Sequence, residues 1–194
     1  MSGGRFALLV GSSRFTDPEL VPLTSPAEDV EALREVLADP AIGGFQVETS
    51  LNRPAHEVMR AVEVFYADRK RDDMLLFYFS GHGLKDERGR LFFAMTDTEH
   101  RYLGATALAG AFLHDAMERA RSRCDVLILD CCYSGAFANS RTAKGDSAIH
   151  TPERFRSRGR AVLTASDAME FRSRATRPTG AARCPCSPSS SSRD

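Results

Sequence analysis

The sequence predicts an α/β fold: a mainly parallel β-sheet flanked by helices on both faces, in three layers. Three observations predict it. Short apolar runs, Phe6-Ala7-Leu8-Leu9-Val10, Met74-Leu75-Leu76-Phe77-Tyr78-Phe79 and Val126-Leu127-Ile128-Leu129, each break into glycine or small polar residues, the pattern of strands buried on both sides. Between these runs lie segments whose apolar residues recur at helical spacing. The length of 194 residues, 42% hydrophobic and 27% charged, fits one globular domain with its own core.

Taken in order, Phe6–Val10 is the first strand, ended by Gly11-Ser12-Ser13. Ser25-Pro26-Ala27-Glu28 starts a helix, with Ser25 as N-cap, Pro26 at the first helical position and Glu28 closing a capping box. Val30, Leu33, Val36 and Leu37 follow at helical spacing, and Gly43-Gly44 stops them. Phe45–Leu51 is a second strand. A helix over Pro54–Ala67 places Val58, Ala61, Val62 and Phe65 on one face. Asp72–Phe79 is the third strand, and residues 84–97 form a hairpin turning at Asp86-Glu87-Arg88-Gly89. A third helix is expected over Thr106–Ala120, a fourth core strand over Cys124–Leu129 and a fifth over Gly159–Ala165. The segment 136–158 reads as a long polar loop. Residues 172–194 hold no Val, Ile, Leu, Met or aromatic residue but five Arg and six Ser. Such a tail buries too little apolar surface to offset its ordering entropy and is expected to be disordered.

Charge and cysteines narrow the function. Formal net charge is zero, which argues against a general nucleic-acid binder. Residues 1–150 carry 17 basic and 22 acidic side chains, a net of −5, and residues 151–194 carry 9 and 4, a net of +5. No apolar run reaches the roughly 20 residues of a membrane span, and the N-terminal run is too short for a secretory signal. Of five cysteines two are adjacent and poorly placed to pair, which argues for a reducing, cytoplasmic location. Cys184-Pro185-Cys186 lacks a second ligand pair for zinc, and no phosphate-binding glycine loop is present, so no metal site and no required cofactor are expected. His56, His100, His114 and His150 show no partner spacing and read as surface residues.

The chemistry gathers at two strand ends. His82, in Ser80-Gly81-His82-Gly83, follows one apolar run. Cys132, in Asp130-Cys131-Cys132-Tyr133-Ser134-Gly135, follows another fifty residues later. Open α/β sheets collect their chemistry at the carboxyl ends of such strands. Alone, a Gly-His-Gly is usually a loop and a strand-end cysteine usually a small buried hydrophobe. Together they describe a thiol nucleophile and the base that generates its thiolate. The amides of Gly83 and Cys132 are candidates for an oxyanion hole.

These two motifs, with this strand order, resemble the caspase-like cysteine peptidases, over roughly residues 5–171. Asp130 stands where the caspase signature has Gln, as in the metacaspase and bacterial branch. The resemblance implies catalysis by Cys132 with His82, Cys131 being a buried neighbour. It also implies an acidic substrate pocket, at Asp29, Ser80 and Asp130, that accepts Arg or Lys. Two carboxylates in one small pocket repel each other unless a cation enters, which gives that preference a physical basis. Asp29 has a second reading, as a solvated first-turn acid favoured by the helix dipole. The partners expected are protein or peptide substrates with Arg or Lys at the cleavage site, with neither nucleic acid nor membrane. The 136–158 loop offers Arg141, Lys144 and the Arg154–Arg158 cluster for self-processing. Calcium activation, known in metacaspases, is compatible with the chain through acids such as Asp72-Asp73, although no binding-loop pattern appears. The family fold continues beyond the fifth strand with a further strand and helix. Here Asp167–Phe171 fits and the core pattern then stops, as in a truncated or frame-shifted end. That departure defines the alternative from another class, a catalytically inactive caspase-like interaction or regulatory module.

Overall fold

The computed structural model describes residues 3–131 and 160–164. Five parallel strands form the main sheet: β1 (Arg5–Gly11), β2 (Gln46–Leu51), β3 (Met74–Ser80), β7 (Cys124–Asp130) and β8 (Arg160–Thr164), in the order β2-β1-β3-β7-β8. Strand direction and number follow the expectation. The three central strands are the three apolar runs, because only strands covered on both faces need side chains without charge on both.

Alternation along those strands divides the core in two. Leu8, Val10, Leu75, Phe77, Phe79, Leu127 and Leu129 pack with Val58, Val62 and Phe65 of α2 (Ala55–Tyr66) and Leu113, Ala116 and Met117 of α4 (Gly110–Arg119). Ala7, Leu9, Leu76 and Tyr78 face the other way, onto Val30 and Leu37 of α1 (Pro26–Ala38). Each fully buried Phe or Leu contributes about 1.5–3 kcal/mol relative to exposure, so the aromatic α2/α4 face dominates the stabilisation. β2 lies at an edge, and its Gln46, Glu48 and Thr49 are exposed, as suits a strand that must not recruit another.

A smaller antiparallel sheet, β4 (Gly83–Lys85), β5 (Leu91–Phe93) and β6 (Leu108–Ala109), follows β3 directly. Its turn forms at Asp86–Gly89, where Asp86 Oδ1 accepts from the Arg88 and Arg90 amides. Two local expectations need correction. The helix expected from Thr106 is broken: α3 covers Leu103–Thr106, β6 intervenes, and α4 starts only at Gly110. Pairing of Phe92 with Ala109 and Phe93 with Leu108 outweighs the helical spacing there. The capping box also does not form. Ser25 lies in helical dihedrals and makes no side-chain cap, although Pro26 does begin the helix.

Asp73, one of the acids considered for calcium, uses both oxygens on backbone amides. Oδ1 accepts from Gly4 and Oδ2 from Lys70, each at 2.8 Å. Among the described residues no helix is long and apolar enough to cross a membrane. The expected 136–158 loop and 172–194 tail lie outside the described residues.

Candidate active site

Parallel register aligns Gly11, Ser80 and Asp130 at the carboxyl ends of β1, β3 and β7. Backbone bonds stitch these ends together: the Ser12 amide donates to Ser80 O at 2.9 Å and the Gly81 amide to Asp130 O at 3.3 Å. Gly11 lets α1 approach, since a Cβ there would lie 3.0 Å from the Pro26 carbonyl. Gly81 serves the turn toward His82. A Cβ at that position would stand 2.8 Å from Phe79 Cζ and 3.1 Å from Ser12 O.

His82 is half-buried, and its Nε2 lies 2.7 Å from the Val21 carbonyl. A carbonyl only accepts, so Nε2 carries the hydrogen and the neutral ring keeps its lone pair on Nδ1. Phe15 packs on the ring at 5.0 Å between centroids, tilted by 38°. Both contacts come from the segment after β1, which is itself fastened. Asn52 Oδ1 accepts from the Ser13 and Arg14 amides, and the Thr16 amide donates to Thr96 O. Asp17 Oδ2 accepts from the His100 amide at 2.7 Å. That bond, with a second from the Glu19 amide, holds the Asp17 carboxyl below its ordinary range.

The Ala94 amide donates to the His82 carbonyl at 2.9 Å, and Gly83 is paired with Phe93. Alternation in an antiparallel ladder makes Gly83–Phe93 the pair without mutual hydrogen bonds. The Gly83 N–H therefore points away from β5, on the open side of an edge strand.

The three expected pocket residues gather on the α1 face. Ser80 Oγ donates to Asp29 Oδ2 at 3.5 Å. Beside them Tyr78 OH donates to Asp130 Oδ2 at 3.3 Å. Burial pushes the Tyr78 phenol up to about 12; the charges of Asp130 and Asp29 add to the rise and a hydrogen bond from Ser80 opposes it. An acid whose folded value exceeds its unfolded one stabilises the fold below the unfolded value and loses that contribution as pH rises through the folded one. Ultraviolet titration of the phenolate should accordingly show one tyrosine ionising near pH 12 that disappears in Tyr78→Phe, with stability declining between about pH 10 and 12 in wild type only. Disappearance of a component near pH 10 instead would contradict the placement.

Among the described residues no cation pairs with Asp29 or Asp130. Cys132, and with it one of the two expected oxyanion donors, lies outside the described residues. Cys131, expected as a buried strand-end residue, is buried in the core cluster that holds Leu129 and Phe79. The Val21 carbonyl, Phe15 and Tyr78 are site components that the sequence reading missed. No group of three or more His, Cys, Asp or Glu among the described residues could hold a metal ion. A cleft of about 300 Å³ lined by Tyr66, Arg69, Arg119 and Arg121 lies at the opposite end of the strands.

The five-stranded parallel sheet with helices on both faces, followed after β3 by a small antiparallel sheet, defines an α/β protein whose candidate site lies at the carboxyl ends of the central strands. The family model described as the caspase domain matches residues 4–191. The chain belongs to this caspase-domain family of peptidases, whose general function is cysteine peptidase-like. Among solved structures it is similar to protein GSU0716 from Geobacter sulfurreducens, at 19% identity and TM-score 0.55, over 68% of this chain and 52% of that one. It is also similar to pro-sf-caspase-1, at 14% identity and TM-score 0.54, over 76% and 55%. A caspase-1 from Spodoptera frugiperda aligns at 16% identity and TM-score 0.49, over 68% and 49%. The chain thus spans about half the length of these structures, and the likeness establishes the fold. No curated protein matches it.

Proposed function

We propose that the chain is a metacaspase-like cysteine endopeptidase domain that cleaves after Arg or Lys. The observation that carries this reading is the grouping of Asp29, Ser80, Tyr78 and Asp130 at the strand ends that lead to His82, two carboxylates accompanied among the described residues only by hydroxyls. His82 Nδ1 takes the proton of the Cys132 thiol, and the thiolate attacks the scissile carbonyl. The Gly83 and Cys132 amides hold the resulting oxyanion. As the intermediate collapses, Nδ1–H protonates the departing amine and leaves a thioester on Cys132. Water then attacks the thioester with Nδ1 again as base, releasing the acid and restoring the thiol. No step consumes a metal or cofactor; calcium, where it acts, is an activator. Protein substrates bearing exposed Arg or Lys are the partners, and the basic residues of 136–158 are the sites of self-processing.

Fluorogenic peptides that differ only in ending with Arg, Lys or Asp, assayed with and without calcium, test the reading. Basic peptides should be cleaved at least about 100-fold better than the Asp peptide, since a like-charged residue in this pocket costs several kcal/mol. Preference for Asp would overturn the specificity, and activity persisting in Cys132→Ala would overturn the mechanism.

A further inference from the structure

Tyr78 sits in an apolar run, and its ring packs in the core face with Ala7, Leu9, Val30 and Leu76 at 6% exposure. Phenylalanine would fill that space equally well. A buried hydroxyl costs free energy unless it is bonded, so its use lies in what it bonds. The hydroxyl donates to Asp130 Oδ2 at 3.3 Å, and Ser80 Oγ donates to Asp29 Oδ2 at 3.5 Å. Each carboxylate thus has its Oδ2 tied to a hydroxyl on β3. The Oδ1 of each has no hydrogen-bond partner among the described residues. Asp130 is exposed, and among the described residues Tyr78 supplies the side-chain hydrogen bond that orients it.

We propose that Tyr78 is a specificity-determining residue of this pocket, holding Asp130 apart from Asp29 so that the pair accepts a guanidinium in preference to an ammonium. The inference rests on the reading of Asp29 and Asp130 as the substrate pocket. The reason is geometric. A guanidinium presents five N–H groups in a rigid plane and bonds two separately held acceptors at once. An ammonium is a compact, strongly hydrated charge that gains little from a fixed separation. Releasing Asp130 removes one anchor from arginine and costs lysine little.

Tyr78→Phe tests this through matched arginyl and lysyl peptides. The ratio of their kcat/KM values should fall about tenfold, the scale of one hydrogen bond to a charged group. The change should reside in KM for the arginyl peptide, with kcat unchanged. In an Asp130→Ala background, which leaves Tyr78 no acceptor at that position, the same substitution should leave the ratio unchanged within about twofold, because Tyr78 acts through that carboxylate. Equal losses for both peptides, or an unchanged ratio, would overturn the proposal.

A binding measurement separates this inference from the reading it rests on. Benzamidine and benzylamine, titrated by NMR into wild type and Tyr78→Phe, present a planar amidinium and an ammonium on the same ring. Tighter binding of benzamidine that depends on Tyr78 supports the proposal even in a chain that cleaves no peptide, in which case the peptidase reading alone fails. Equal affinity of the two probes in wild type would overturn it without any variant.

Discussion

Replacing either Cys132 or His82 by alanine is expected to lower kcat/KM for an arginyl peptide by at least about 10³–10⁴-fold, as when other nucleophile–base pairs are broken. The thiol is a weak nucleophile until its proton leaves, and in the proposed mechanism His82 Nδ1 receives it. Val21 O fixes the hydrogen on Nε2 at 2.7 Å, Phe15 limits rotation of the ring, and Gly81 admits the turn that delivers it. Because the two residues act as one unit, the double variant should be no worse than the poorer single one. The loss should appear in kcat, with substrate affinity retained, since neither side chain belongs to the pocket. Additive losses would mean that two separate functions had been removed.

The second large effect is expected at the pocket. Asp130→Asn keeps the size of the side chain and an oxygen for Tyr78 but removes one of two negative charges. Cleavage after Arg should fall about 100-fold, chiefly through KM, near the lower end for truncating a charge pair because Asp130 is exposed. Asp29→Asn should act in the same direction and more weakly, because its bond to Ser80 is long at 3.5 Å. Recovery of the wild-type cleavage rate at saturating arginyl peptide would agree with a pure binding defect. A loss in kcat with KM unchanged would place Asp130 in the chemistry instead. The dyad and pocket variants thus separate into two kinetic classes.

Much of this arrangement is legible in the residues. The apolar runs of β1, β3 and β7 announce themselves because strands covered on both faces leave no room for a polar periodicity. His82, Ser80 and Asp130 stand out because motif and strand end coincide, whereas Asp29, in the first turn of α1, is singled out by the family resemblance alone. What the sequence conceals has physical reasons. The base-orienting acceptor is the backbone carbonyl of Val21, and a carbonyl leaves no mark in a side-chain alphabet. Tyr78 is hidden inside its own apolar run, where its ring belongs to the core and only its hydroxyl to the pocket. Strand β6, two residues long, exists because β5 pairs with it, a decision made in three dimensions. Ser25-Pro26-Ala27-Glu28 has the residues of a capping box, but Ser25 keeps helical dihedrals and its hydroxyl caps nothing.

The central claim is that His82 activates Cys132, of five cysteines in the chain, for attack on a substrate presented by a basic side chain. An arginyl peptide carrying an electrophilic ketone, followed by intact mass and peptide mapping, tests it most directly. One equivalent should attach at Cys132 in the wild type, free arginine amide should slow the reaction, and His82→Ala should not react on the same timescale. Attachment at Cys124, Cys131, Cys184 or Cys186, or labelling of Cys132 at an undiminished rate without His82, would contradict the account.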